Sequence, residues 1–181
     1  MYIFIPFANN NEKNTINGKL FISFLEMCVS RSDSFSLNIT PGYWGKYTRL
    51  SRALKPYHIA TIDTQKWFGY NYNNIPHEEL RIYMHQNIYK STPEVIAIIR
   101  KSIKEIFFNR ELNPFANIPT QDVDDICFFK DGKMIMGSIS HERMLYMDSE
   151  VFPLDILSQY GRWKYENTFF PEIPEIKSLI I

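Results

Sequence analysis

Residues 123–147 read VDDICFFKDGKMIMGSISHERMLYM, and this stretch constrains the fold more than any other part of the chain. ICFF, MIMGSIS and MLYM are short apolar runs in which the pattern falls to a period of two, the repeat of a strand. The first two are separated by Lys130-Asp131-Gly132-Lys133. Asp-Gly accepts the positive φ that a type I′ hairpin turn demands at both central positions. The expectation is a three-stranded antiparallel meander.

The elements before it are mixed. YIFIPF (2–7) reads as a short strand, and ANNNEKNTING (8–18) as a polar loop. KLFISFLEMCV (19–29) is apolar nearly all round, as in a deeply packed helix. SFSLNI (34–39) alternates as a strand does, and Thr40-Pro41 then reads as a helix start running through YWGKYTRLSRALK to stop before Pro56. YHIATI (57–62) is a strand candidate, DTQKWFGYNYNN (63–74) an aromatic loop, and HEELRIYMHQ (77–86) fits either period. Thr92-Pro93-Glu94 supplies a capping hydroxyl, a proline and an acid at the positive end of a helix dipole. Val95, Ile96, Ile99, Ile103 and Ile106 follow at helical spacing. A linker (109–122) leads into the meander, and the proline-bearing tail has room for short helices only. Helices and strands mixed in this order, closing on antiparallel strands, point to one α+β domain spanning 1–181.

At 181 residues with 45% apolar content the chain can bury a sizeable core. Its net charge of zero hides an asymmetry: residues 1–110 hold 14 Lys/Arg against 8 Asp/Glu, and residues 111–181 hold 6 against 12. Cys28 and Cys127 lie far apart in apolar runs and read as buried thiols in a reducing compartment. MYIFIPF lacks a basic leader, and no run of about 18 apolar residues is present, so the expected location is cytoplasmic.

Four stretches carry the residue types of functional sites. Gly132 to Gly137 has the four-residue gap of a phosphate loop, but Ser138-Ile139 stands where Lys and Ser/Thr are required, in a strand context. His141-Glu142 begins a zinc-protease signature whose second histidine is replaced by Leu145. YWGKYTRLSRALKPYH (43–58) interleaves Lys46, Arg49, Arg52 and Lys55 with aromatic rings, a composition suited to single-stranded nucleic acid. Steps of three drift around a helix by about 60° each, so a solvated helix face accounts for it better. Finally, Asp122, Asp124, Asp125, Asp131, Glu142, Asp148 and Glu150 form an acidic run without the spacing of a calcium loop. No metal or cofactor is expected from these patterns.

DVDDICFFKDGKMIMGSISHERMLYM (122–147), an acidic run leading to strand, tight turn and a strand ending in Ser-His-Glu, resembles a segment of the immunity proteins of contact-dependent growth inhibition and polymorphic toxin systems. The resemblance covers about 25 residues. It implies a small, cytoplasmic, non-catalytic protein that blocks one cognate toxin, often a nuclease. Inhibitors of nucleases are often strongly acidic, and this chain departs from that pattern in being neutral overall. The partner-binding residues expected on this basis are Asp122, Asp124, Asp125, Asp131 and Glu142, with Tyr43 and Trp44 as aromatic anchors. The competing readings are a small hydrolase or nuclease using His141 and Glu142, and a nucleic-acid-binding module through residues 43–58.

Overall fold

The computed structural model describes residues 1–5, 15–40, 49–64, 66–68, 70, 71, 76, 85–107, 111, 112 and 119–167. Its strands are β1 (Tyr2–Ile5), β2 (Ser34–Thr40), β3 (His58–Asp63), β4 (Lys66–Trp67), β5 (Tyr70–Asn71), β6 (His85–Lys90), β7 (Glu111–Leu112), β8 (Pro119–Lys130), β9 (Lys133–Ile139), β10 (Met144–Met147) and β11 (Arg162–Tyr165). The helices are α1 (Gly18–Val29), α2 (Arg49–Leu54), α3 (Pro93–Ser102) and α4 (Leu154–Leu157). The main sheet runs β11-β1-β10-β9-β8-β2-β6-β3, with β7 added to β8. Every pairing in it is antiparallel. The fold is α+β.

The meander forms as its turn chemistry demands. Lys130 pairs with Lys133 across a turn in which Asp131 has φ 49° and Gly132 φ 74°, both left-handed, as a type I′ turn needs. Asp33 ties this turn to the rest of the sheet. Its carboxylate accepts the Asp131 N–H at 2.7 Å and the Ser34 hydroxyl at 2.8 Å. Its backbone binds the Phe129 carbonyl and the Ser91 N–H.

Strand alternation sorts the side chains onto two faces. Phe35, Leu37, Tyr89, Ile126, Phe128, Leu145 and Met147 point to one face, where they meet Phe21, Phe24, Leu25 and Cys28 of α1 and Val95 and Ile99 of α3. Each large side chain buried here contributes about 1.5–3 kcal/mol, so this face supplies most of the stabilisation. Ile3, Ile88, Cys127, Phe129 and Tyr146 point to the opposite face, where Trp67 and Phe68 of the β4–β5 hairpin cover them. The sheet is therefore packed on both sides, by helices on one and by a short aromatic hairpin on the other.

Several expectations change. Thr40 ends β2, and residues 41–48 lie outside the described residues; the helical segment described after them is Arg49–Leu54. That helix does stop before Pro56, at Leu54, and Pro56 lies near the start of the 3-10 turn Lys55–Tyr57 that follows, where a proline costs no hydrogen bond. The aromatic loop contains the β4–β5 pair, with Trp67 and Phe68 almost wholly buried. The tail adds a strand, β11, to its short helix. Of the ambiguous segment 77–86, only His85 and Gln86 are described, at the start of β6.

Candidate functional site

The Gly-x-x-x-x-Gly string is explained by packing. One row of directly paired residues crosses the sheet from Ile3 through Tyr146, Gly137, Cys127 and Ser36 to Ile88. Gly137 is the low point of that row, and Phe68 lies over it. A Cβ at Gly137 would stand 2.7 Å from the Phe68 ring and 2.7 Å from the Met134 sulfur. The ring also meets Tyr146 edge to face at a centroid distance of 5.0 Å, while Trp67 packs on Phe129 at 6.0 Å. The glycine admits a ring, not a phosphate.

Ser138 has an equally local task. The pairing of β2 with β8 shifts by one residue, Leu37 facing Ile126 and Asn38 facing Asp124, so Asp125 is the bulged residue. It adopts φ 48°, a left-handed conformation that glycine usually supplies in a bulge and that aspartate tolerates. The Ser138 hydroxyl accepts the Ile126 N–H at 2.9 Å and donates to the Ile126 carbonyl at 3.3 Å. It thus replaces, within the sheet, ladder bonds at the point where the bulge disturbs them. The Asp125 carboxylate is buried as well and accepts the Ser140 N–H at 2.5 Å. That bond fixes the start of the 3-10 turn Ser140–Glu142, which closes at Arg143 with φ 55°.

The acidic run separates in space. Asp131 stands at the β8–β9 turn, with Asp33 beside it, and Asp148 joins that end through its N–H to the Ile135 carbonyl. Glu142 sits in the β9–β10 turn, at the other end of β9, roughly 20 Å away along seven strand residues. Asp122 and Asp124 pair with Thr40 and Asn38 on the part of β8 beyond its contact with β9, toward the Glu142 end. Their side chains lie outside the described residues. Asp125, expected on the exposed rim, is 1% exposed and turned inward, because the bulge directs it at the Ser140 backbone. Tyr43 and Trp44 lie outside the described residues. Of the expected residues, the backbones of Asp122 and Asp124 and the exposed Glu142 thus lie toward one sheet end, and Asp131 stands at the opposite end.

Family profiles, curated proteins and solved structures contain no match to this chain.

His141 and Glu142 are neighbours in the 3-10 turn; Glu142 is exposed, and the His141 side chain lies outside the described residues. Of the remaining histidines, His58 is exposed and hydrogen-bonded to Thr61 at 2.9 Å. Among the described residues no three His, Cys, Asp or Glu side chains are placed to hold a metal ion, and no helix is long and apolar enough to cross a membrane. In the basic stretch, Arg52 and Lys55 are exposed on α2 and the turn after it, while Leu50 and Leu54 face the core.

Both thiols are fully buried, and burial pushes each of them far above the usual thiol range. For Cys127 the Asp125 charge adds to the rise, and for Cys28 the Arg31 guanidinium opposes it. Only the thiolate is nucleophilic, so both side chains are inert in the folded state. We expect neither to react with a disulfide reagent at pH 8 over an hour, and both to react within minutes in 6 M guanidinium chloride. A fast-reacting thiol in the folded protein would show that one of these sites opens readily.

Proposed function

We propose that this chain is an immunity protein: a cytoplasmic, non-catalytic inhibitor that binds one bacterial toxin, a ribonuclease, and covers its active site. The observation that carries the reading is the register of β8. It brings Asp122 and Asp124 toward the same end of the sheet as the turn bearing Glu142. A ribonuclease holds its substrate's phosphates with cationic groups, and carboxylates on a fixed scaffold match such a groove. Complementary charge of this kind speeds encounter, sets register and excludes wrong partners. The Asp125–Ser140 hydrogen bond ties the turn that bears Glu142 directly to β8.

The test uses the toxin domain encoded beside this protein and titration calorimetry at low and moderate salt. Reversing Asp122, Asp124 and Glu142 to lysine together should weaken binding by about 100-fold or more at low salt, with a smaller loss at higher salt. Asp131→Lys, at the other end, should leave affinity within about two-fold, as distant surface charges usually do. Absence of binding by the unmodified protein removes the reading. An Asp131→Lys loss as large as that of the triple variant would move the interface to the hairpin end.

A further inference from the structure

On the sheet face covered by the β4–β5 hairpin, polar atoms are buried that have no oxygen or nitrogen partner among the described residues. Ser36 and Gln86 are 0% exposed and Trp67 is 2% exposed. Among the described residues both amide atoms of Gln86 lack a hydrogen-bond partner, and the Ser36 hydroxyl and the Trp67 indole N–H have only the Cys127 sulfur, a weak acceptor, beside them. These groups are neighbours. Ser36 lies directly opposite Cys127, and the Ser36 and Trp67 side chains both lie against the Cys127 sulfur. Gln86 pairs with Asn38 and Ile88 with Ser36, so Gln86 and Ser36 are diagonal neighbours on one face, about 7–8 Å apart at their backbones. A glutamine side chain spans most of that distance.

Leaving one such group dry costs about 1–3 kcal/mol, and native interiors pair the great majority of them. An amide with neither atom paired, beside a hydroxyl and an indole N–H that have only a thiol sulfur to bond, is hard to reconcile with a dry interior. We propose that Ser36, Trp67 and Gln86 form an internal hydration site holding one or two water molecules between the hairpin and the sheet. Water suits the donor and acceptor set. Trp67 donates only, Gln86 both donates and accepts, and Ser36 does either, so a water accepting from Trp67 can donate to Gln86 or Ser36. The nearby Asp125 charge, which acts on Cys127, disfavours an anion in the same space. A buried water commonly makes about three hydrogen bonds, the number this set offers. The site also accounts for an otherwise odd choice, a glutamine on the inward face of β6 beside Ile88.

The experiment is a rotating-frame water cross-peak measurement on the isotope-labelled full chain, with the Trp67 indole proton assigned by its disappearance in Trp67→Phe. A cross-peak to water with the sign of dipolar contact is the expected result. Its absence in the folded protein overturns the proposal. Gln86→Met gives a second reading, since it keeps the length and removes the amide. If water bridges the site, the variant strips a hydrogen-bonded partner from it and the melting temperature falls. If the site is dry, the variant removes an orphaned amide and the melting temperature rises, which also overturns the proposal. This inference does not depend on the toxin reading, and either can fail without the other.

Discussion

Gly137→Val is expected to lower the melting temperature by about 10 °C. A side chain at this position collides with the Phe68 ring and the Met134 sulfur, both 2.7 Å from where its Cβ would stand. Overpacking of this kind costs about 1–3 kcal/mol, and expelling Phe68 from its bed forfeits part of a further 1.5–3 kcal/mol of burial. For a chain of this size each kcal/mol corresponds to roughly 2–4 °C. The mechanism is checked by a double-mutant cycle. With Phe68→Ala in the background, Gly137→Val should cost much less, because the ring it strikes is gone. Equal costs in both backgrounds would mean that the glycine serves some other need. The hairpin and the sheet are thus coupled through a missing side chain, which no inspection of residue chemistry at position 137 alone would reveal.

Asp125 carries the second large effect. Asp125→Ala should destabilise the protein by about 3 kcal/mol in a urea titration. It leaves the buried Ser140 N–H without its acceptor and places alanine at φ 48°, where it is strained. Asp125→Gly should cost about 1 kcal/mol less than alanine, since glycine accepts the left-handed backbone at no penalty. Asp125→Asn should cost least, because it keeps an acceptor and tolerates the same φ. If Asp125→Ala were neutral for stability and harmful only to partner binding, the residue would belong to the surface after all. The order alanine, glycine, asparagine is the signature of a residue that holds a bulge and a turn together.

What the sequence could show was whatever local chemistry decides. Asp131-Gly132 dictates its turn whatever surrounds it, and α3 starts at Pro93 with Glu94 in its first turn as expected, although the Thr92 hydroxyl makes no capping hydrogen bond. The strand β6 escaped notice because its inward position 86 is a glutamine, so the apolar alternation fails at its first turn inward. β11 reads RWKY and is half charged, as suits a strand at the edge of a sheet. Trp67 and Phe68 looked like loop aromatics since the surface they cover comes from β8, β9 and β10, many residues away. The acidic run misled for a related reason. Seven carboxylates close in sequence are sent to two sheet ends by one seven-residue strand, and one of them is turned inward by a bulge. Pairing register decides such placements, and it is a property of the assembled sheet.

The position of β1 bears on how this molecule is made. Tyr2 pairs with Met147 on one side and with Tyr165 on the other, so β1 lies between two strands that come well over a hundred residues later in the sequence. During synthesis it has neither of these neighbours until β10 and β11 have been translated. The meander of β8, β9 and β10, joined by tight turns, can assemble by itself in the meantime and offers β10's open edge as the template. Contacts of such long sequence separation carry a high loop-closure cost and slow folding. The apolar YIFI segment therefore stays without its native neighbours until β10 and β11 have been made, an interval in which an unpaired strand is open to wrong pairing.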